Sequence, residues 1–373
     1  MTTGTDPGFT RLELPPFYCP FPVSTHPHLA AAEVGTVDFM DEFGLYWTPT
    51  QRRRLIDAEC GRLAAILYPY GSNELLQVSS DYMLWAFAYD DEYCDEGPTS
   101  LRPAEHIVAS SRMQRAIESP DLPIDESDRY AMAIRDIRRR LDRYASPLVG
   151  RRFAEWQRGY FWIEMWKQVS TQPSLNDYVI HRLYGGGGMT FPTFACIVPN
   201  LEVTEAELAD HRFSAVLEMA ATLGTWDSDF FSYTKERARS RSKGHNLVAT
   251  IMREFSCSPQ DAVEIGTDYR NRVMGLYLRL SRDVARQASQ GLTDYITGLD
   301  HYVSGGLAWY CSNKRYNSTS GTGGGARTFV GGDLTEDPPA ALDNAEPLPI
   351  PSIAWWWQHD PGRSHRTSPN RGA

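Results

Sequence analysis

Tyr82-Met-Leu-Trp-Ala-Phe-Ala-Tyr-Asp90-Asp91-Glu92-Tyr-Cys-Asp95-Glu96 carries an apolar, aromatic-rich helical segment straight into five carboxylates, and Gly97-Pro98 stops it. The C-terminal end of a helix holds about half a negative charge, so acids clustered there cost several tenths of a kcal/mol each unless a cation offsets them. No Lys or Arg lies between Arg62 and Arg102. Compensation therefore has to come from elsewhere in the fold or from a metal ion. Carboxylate oxygens that leave room for water suit Mg²⁺, a hard cation that usually arrives with a phosphate-bearing substrate. An isolated Asp-Asp pair would read more simply as a solvated acidic helix end, and the rest of the chain decides between the two.

Working outward, the 373 residues are 42% hydrophobic and 12% aromatic, enough for one large core or two modest ones and for the lining of a sizeable pocket. A formal charge of −10 without a basic stripe argues against a nucleic-acid partner. A negatively charged substrate would then need metal ions as intermediaries. Cys19, Cys60, Cys94, Cys196, Cys257 and Cys311 show no paired spacing, so buried reduced thiols are expected rather than zinc or redox chemistry. No signal pattern opens the chain, and no run approaches the roughly 18 apolar residues of a membrane span. A cytoplasmic enzyme is the expectation.

Residues 1–27 hold six of the 24 prolines and read as an extended arm that packs its aromatics on the body, with a lid strand as one use for it. Helical spacing follows over 28–45, closed by Gly44, and from Thr48-Pro49 to about Tyr68. After the acidic-ended helix come helical stretches at 103–119, 125–144, 151–169, 175–198, 204–237, 244–256, 259–290 and 292–315. Arg182-Leu-Tyr-Gly185-Gly186-Gly187-Gly188 interrupts the 175–198 stretch. Glycines there cost about 1 kcal/mol apiece relative to alanine, which implies a break or a close backbone approach. No alternating strand run and no repeat is found, so the pattern predicts an all-α, single-domain helical bundle around one centre. From Asn317 the composition turns to Gly, Ser, Pro and Asp, and 317–373 reads as a disordered tail despite Trp355-Trp356-Trp357.

A second constellation is Ser228-Asp229-Phe-Phe-Ser232-Tyr-Thr-Lys235-Glu236. Ser228, Ser232 and Glu236 at i, i+4 and i+8 stack three oxygen-bearing side chains on one helix face, able to hold one hard cation. Asp229 points about 100° away from Ser228 around the helix, so its loss should matter less to metal affinity. Gly224 and Ala221, one and two turns earlier, leave space where a substrate chain could lie.

Together these residues resemble the bacterial-type class I terpene synthases, over roughly residues 17–316. That family cyclises linear isoprenyl diphosphates inside an α-helical bundle with a central apolar cavity. The resemblance implies a class I terpene synthase domain at 28–316, with metal ligands Asp90, Asp91 and Asp95 on one helix and Ser228, Ser232 and Glu236 on the facing one. It also implies three Mg²⁺ ions with the bound diphosphate, Mn²⁺ being an alternative ion, and a monomer or homodimer. Arg182 lies 46 positions before Ser228, the spacing of the family's diphosphate-sensing arginine, and Gly185 and Gly186 take the linker and effector positions. Lys314-Arg315-Tyr316 supplies the Arg-Tyr pair that closes the last helix, and His245-Asn246-Leu247-Val248 the helix start after the second motif. The chain departs from the family in two places. Its last carboxylates come one step late, as D-D-x-x-x-D-E, which shifts Asp95, and Ser228 stands where Asn or Asp is usual.

The resemblance implies that Arg182, Lys235 and Arg315, with the metal ions, draw off negative charge as the allylic carbon–oxygen bond breaks. The carbocation then needs a dry enclosure with aromatic faces, each worth roughly 2 kcal/mol when desolvated. Phe87 and Trp309 are the expected walls. Farnesyl diphosphate is the expected substrate, followed by geranylgeranyl and then geranyl diphosphate. The rival readings are a chain-elongating isoprenyl diphosphate synthase, which would need two acidic motifs of the D-D-x-x-D kind, and a helical scaffold without catalysis.

Overall fold

The computed structural model describes residues 11–170, 172–239, 245–318 and 327–364. Its first half holds α1 (Leu29–Phe43), α2 (Pro49–Asp57), α3 (Cys60–Leu67), α4 (Asn73–Tyr89), α5 (Pro103–Glu118), α6 (Arg129–Tyr144), α7 (Pro147–Val169) and α8 (Leu175–Tyr184). The second holds α9 (Thr190–Ile197), α10 (Glu205–Leu208), α11 (His211–Arg239), α12 (Leu247–Phe255), α13 (Pro259–Ala285), α14 (Gln290–Ser312), α15 (Lys314–Asn317) and α16 (Pro361–Ser364). Most of the long helices begin where a short polar side chain can satisfy an orphan amide. Thr48 accepts from Gln51, Ser72 from Leu75, Ser146 from Val149 and Ser258 from Asp261, and Pro49, Pro147 and Pro259 follow as first helical residues.

Two helices form the centre. In α4, 13 of 17 residues are buried, so it has no solvent face and must lie inside the bundle. It packs on α1, α3 and α6, while α11 packs on α13 and α14, and α14 closes the ring against α3. Beyond Tyr89 the chain continues as a π-helical turn over Asp90–Asp95, with Glu96 N–H donating five residues back to Asp91 O at 2.9 Å. The acidic run is thus wound more widely than an α-helix.

The expected helix from 49 to about 68 is two helices, because Glu59 adopts a left-handed conformation (φ 52°) between α2 and α3. The arm does pack its aromatics: Phe17 is fully buried against Phe230 and Phe231, and Phe21 meets Tyr277 edge-on. The disordered-tail expectation is corrected over 327–364. There β3 (Phe329–Gly331) pairs in parallel with β1 (Leu12–Leu14), and β4 (Leu334–Thr335) with β2 (Phe17–Tyr18). Trp356 and Trp357 are wholly buried, Trp356 Nε1–H donating to Glu218 at 2.7 Å, and Arg279 pairs with Asp360 at 2.8 Å. Two tryptophans, each able to bury 150–250 Å² or so, outweigh the polar composition around them. Residues 319–326 and 365–373, which the tail expectation also covers, lie outside the described residues.

Candidate active site

The cations missing from the local sequence arrive from other helices. Lys167 Nζ on α7 lies 3.0 Å from Asp95, 3.5 Å from Asp90 and 3.6 Å from Glu164. Arg54 holds Glu96 at 2.7 Å, Arg129 lies 3.7 Å from Glu92, and Arg315 holds Asp91 at 3.0 Å. The π turn brings Asp95 back beside Asp90, so the late spacing of the motif leaves both carboxylates in one cavity. Asp91 turns the other way, to Arg315, and is absent from that cavity's lining. Burial and the adjacent Asp95 push the Asp90 carboxyl up to about 7, against the pull of Lys167. Burial opposes the charge on Lys167, but Asp90, Asp95 and Glu164 outweigh it and keep the ammonium protonated.

Opposite stands the break in the 175–198 stretch. Gly186 has φ 61° and Gly187 φ 82°, left-handed values that a side chain tolerates poorly. A Cβ on Gly186 would lie 2.5 Å from the Arg182 guanidinium, so the glycine also makes room for that arginine. Arg182 donates to Thr225 O at 3.0 Å and pairs with Asp229 at 2.8 Å, and both partners are buried. The other oxygen of Asp229 accepts the Leu247 N–H at 2.7 Å and the Tyr178 hydroxyl. Burial lifts the Asp229 pKa to about 6 although Arg182 draws it down. Asp229 is therefore committed to the arginine and to the start of α12, with neither oxygen turned to the cavity.

Ser228 does line the cavity, its hydroxyl 3.3 Å from that of Tyr316, as do Lys235 and Glu236. Ser232 is buried beneath. Asn246, which caps α12, spreads its amide over Asp229 O at 2.9 Å, Glu236 at 3.1 Å and Ser232 at 3.4 Å. One asparagine thus aligns the face that carries the second motif.

The charged cavity measures about 80 Å³, and beneath it a second compartment of about 30 Å³ shares Phe87, Gly186, Phe191, Ser228 and Tyr316 as walls. Trp309 stacks on Phe87 at 5.9 Å and meets Tyr316 edge-on at 5.3 Å, while Gly224, Tyr302 and Tyr310 complete the floor. Arg315 covers the Phe87 ring at 4.7 Å, and the Lys235 ammonium lies 5.1 Å from the Tyr316 ring centre. Both compartments fall below the roughly 300–1,000 Å³ of typical small-molecule sites, so a substrate has to widen them to enter. A larger cavity of about 630 Å³ opens beside Trp156, Ile197, Leu217 and Tyr295 but contains none of these groups. Facing charges over an apolar floor belong to the smaller space.

The fold accordingly gathers Asp90, Asp95, Arg182, Gly186, Ser228, Lys235, Glu236, Arg315, Tyr316 and Phe87 around one cavity, with Trp309 below it. Gly185, Asp91 and Ser232 stand behind that wall. Sequence reasoning missed Glu164 and Lys167. Their signal was two opposite charges three residues apart within Tyr160-Phe161-Trp162-Ile-Glu164-Met-Trp166-Lys167, on a stretch too aromatic to be a solvated face. For a divalent ion, Asp90, Cys94 and Glu164 present ligand atoms within 4.8 Å of one another, and Glu164 Oε2 is buried without a hydrogen-bond partner. Burial raises the Cys94 thiol well above its ordinary value, so the carboxylates are the donors, as a hard cation requires. The residues fit such an ion.

Residues 81–275 match the family described as "Terpene synthase family 2, C-terminal metal binding". The chain is 32% identical to (+)-(1(10)E,4E,6S,7R)-germacradien-6-ol synthase of Streptomyces pratensis, over 92% of this chain and 96% of that one. It is 26% identical to a (2E,6E)-farnesyl diphosphate-cyclizing 4-epi-cubebol synthase of Streptosporangium roseum, over 85% and 96%. The crystal structure of SVS_A2, a protein from ancestral sequence reconstruction, superimposes with a TM-score of 0.81 at 29% identity, covering 93% of this chain and 99% of the other. No helix among the described residues is long and apolar enough to cross a membrane.

Proposed function

This chain belongs to the terpene synthase family, and from that premise we propose that it ionises farnesyl diphosphate with Mg²⁺ and cyclises the resulting carbocation, releasing diphosphate. The observation that carries this reading is the single cavity in which Asp90, Asp95 and Glu164 share the walls with Arg182, Lys235 and Arg315, above the ring cluster of Phe87, Phe191, Trp309 and Tyr316. Asp90, Asp95 and Glu164 would hold metal on one side and Ser228 and Glu236 on the other. When bound, three such ions would neutralise the diphosphate and make it a better leaving group. Arg182, Lys235 and Arg315 supply fixed positive charge for the departing anion. The apolar floor excludes the water that would quench a cation, and its ring faces stabilise positive charge. Relatives named as cyclizing (2E,6E)-farnesyl diphosphate support the fifteen-carbon substrate, with the twenty-carbon one as the alternative.

The test is incubation of the purified chain with Mg²⁺ and geranyl, farnesyl or geranylgeranyl diphosphate, followed by headspace analysis. A cyclic C15 hydrocarbon or alcohol is expected from farnesyl diphosphate, and Asp90→Ala should retain less than about a tenth of kcat, a loss of at least about 1.4 kcal/mol of barrier stabilisation. Turnover only of the twenty-carbon substrate would correct the chain length. A longer diphosphate would make the chain an elongating enzyme, and no turnover of any substrate would leave a scaffold.

A further inference from the structure

We propose that Lys167 is the resident cation of the acidic site and makes metal binding conditional on diphosphate. Its ammonium is within 3.6 Å of carboxylate oxygens from Asp90, Asp95 and Glu164, the same donors that would hold a divalent ion. Two cations cannot share that spot, so an entering metal has to displace the ammonium. Metal alone then breaks buried ion pairs and leaves the displaced charge in the cavity without a counter-ion. Diphosphate changes the balance, because it brings negative charge into the same cavity, where the flexible four-carbon stem of lysine can re-aim the ammonium toward it.

Glu164 extends the device to the helix break. Its Oε1 accepts the Gly186 N–H at 2.9 Å, while Oε2 has no hydrogen-bond partner and faces Lys167 at 3.6 Å. One buried carboxylate therefore touches both the backbone beside Arg182 and the cation on the acidic motif. Withdrawal of Lys167 leaves Glu164 free to take metal on one oxygen while it holds Gly186 on the other, so metal loading and the position of the break are linked. Lys167 is a positioning residue here, acting through the metal ligands, of which Glu164 is one.

The inference rests on the proposed diphosphate chemistry, but its test needs no turnover. Mn²⁺ is titrated into the full-length protein with and without inorganic diphosphate and followed by electron paramagnetic resonance. The wild type should bind Mn²⁺ at least about tenfold more weakly without diphosphate. Lys167→Gln should tighten the diphosphate-free binding about tenfold and shrink the difference by the same factor, whereas Lys167→Arg, which keeps the charge, should preserve it. Equal diphosphate dependence in wild type and Lys167→Gln would overturn the proposal. So would tight wild-type Mn²⁺ binding without diphosphate, a result that needs no variant to fold. A chain that cyclises nothing would sink the proposed function while leaving this titration interpretable.

Discussion

Replacing Asp229 by asparagine tests the site at its best-defined contact. Asp229 and Arg182 are a buried pair at 2.8 Å, with side chains 2% and 12% exposed. Removing one member of such a pair strands the other charge and typically costs about 3–5 kcal/mol. At about 2.1 cal/mol/K of unfolding entropy per residue, the 373-residue chain loses roughly 4–6 °C of Tm for that cost. Asparagine keeps one carbonyl oxygen for the Leu247 amide, so most of the loss comes from the charge and little from the cap on α12. Arg182→Met should cost less, because burial already lifts the Asp229 pKa to about 6 and a carboxyl left alone there can take up a proton. The double variant Arg182→Met/Asp229→Asn removes both charges and should be less destabilised than the two singles added, by about 1–3 kcal/mol. Thermal denaturation followed by far-UV circular dichroism at pH 7.5 or so reads all four proteins. Additive losses, or an Asp229→Asn Tm within about 1 °C of wild type, would refute the buried-pair account. The expectation that Asp229 matters less than Ser228 concerns metal affinity, and this stability effect is separate from it: Asp229 points away from Ser228 and at the arginine.

Two further outcomes are expected, one at the site and one away from it. Ser228→Ala should weaken the apparent Mg²⁺ affinity of the working enzyme and Ser228→Asn should hold or raise it, measured from the Mg²⁺ dependence of turnover; a normal Ser228→Ala would remove that hydroxyl from the metal site. Far from the site, burial raises the Asp300 carboxyl to about 7 although it accepts the Tyr277 hydroxyl at 2.8 Å. A folded pKa above the unfolded value of about 3.9 means that its contribution to stability is full below about pH 4 and is lost as pH rises through about 7. Asp300→Asn should therefore raise Tm relative to wild type at about pH 8, with the gain vanishing near pH 4, and a gain that does not change with pH would contradict this.

What the sequence determined by itself is whatever a helix writes into neighbouring residues. Thr48-Pro49, Ser258-Pro259 and Asn246 mark helix starts because each cap bonds an amide two or three residues on. The break after Arg182 was legible because a run of glycines does not sustain an α-helix, and Ser228, Ser232 and Glu236 because i, i+4, i+8 is a face. Asp90 stood out because its charge was uncompensated nearby. The compensation itself, Lys167 for Asp90 and Asp95 and Arg315 for Asp91, comes from helices 77 and 224 positions away, and no periodicity encodes which helices pack together. The pairing of Arg182 with Asp229 instead of its neighbour Ser228, the rewinding of Asp95 by a π turn, and the seating of Trp356 and Trp357 in a stretch of polar composition likewise exist only once the bundle has closed. Closure withdraws these side chains from water, and a charge or an indole without water must find its partner wherever the packing has put one.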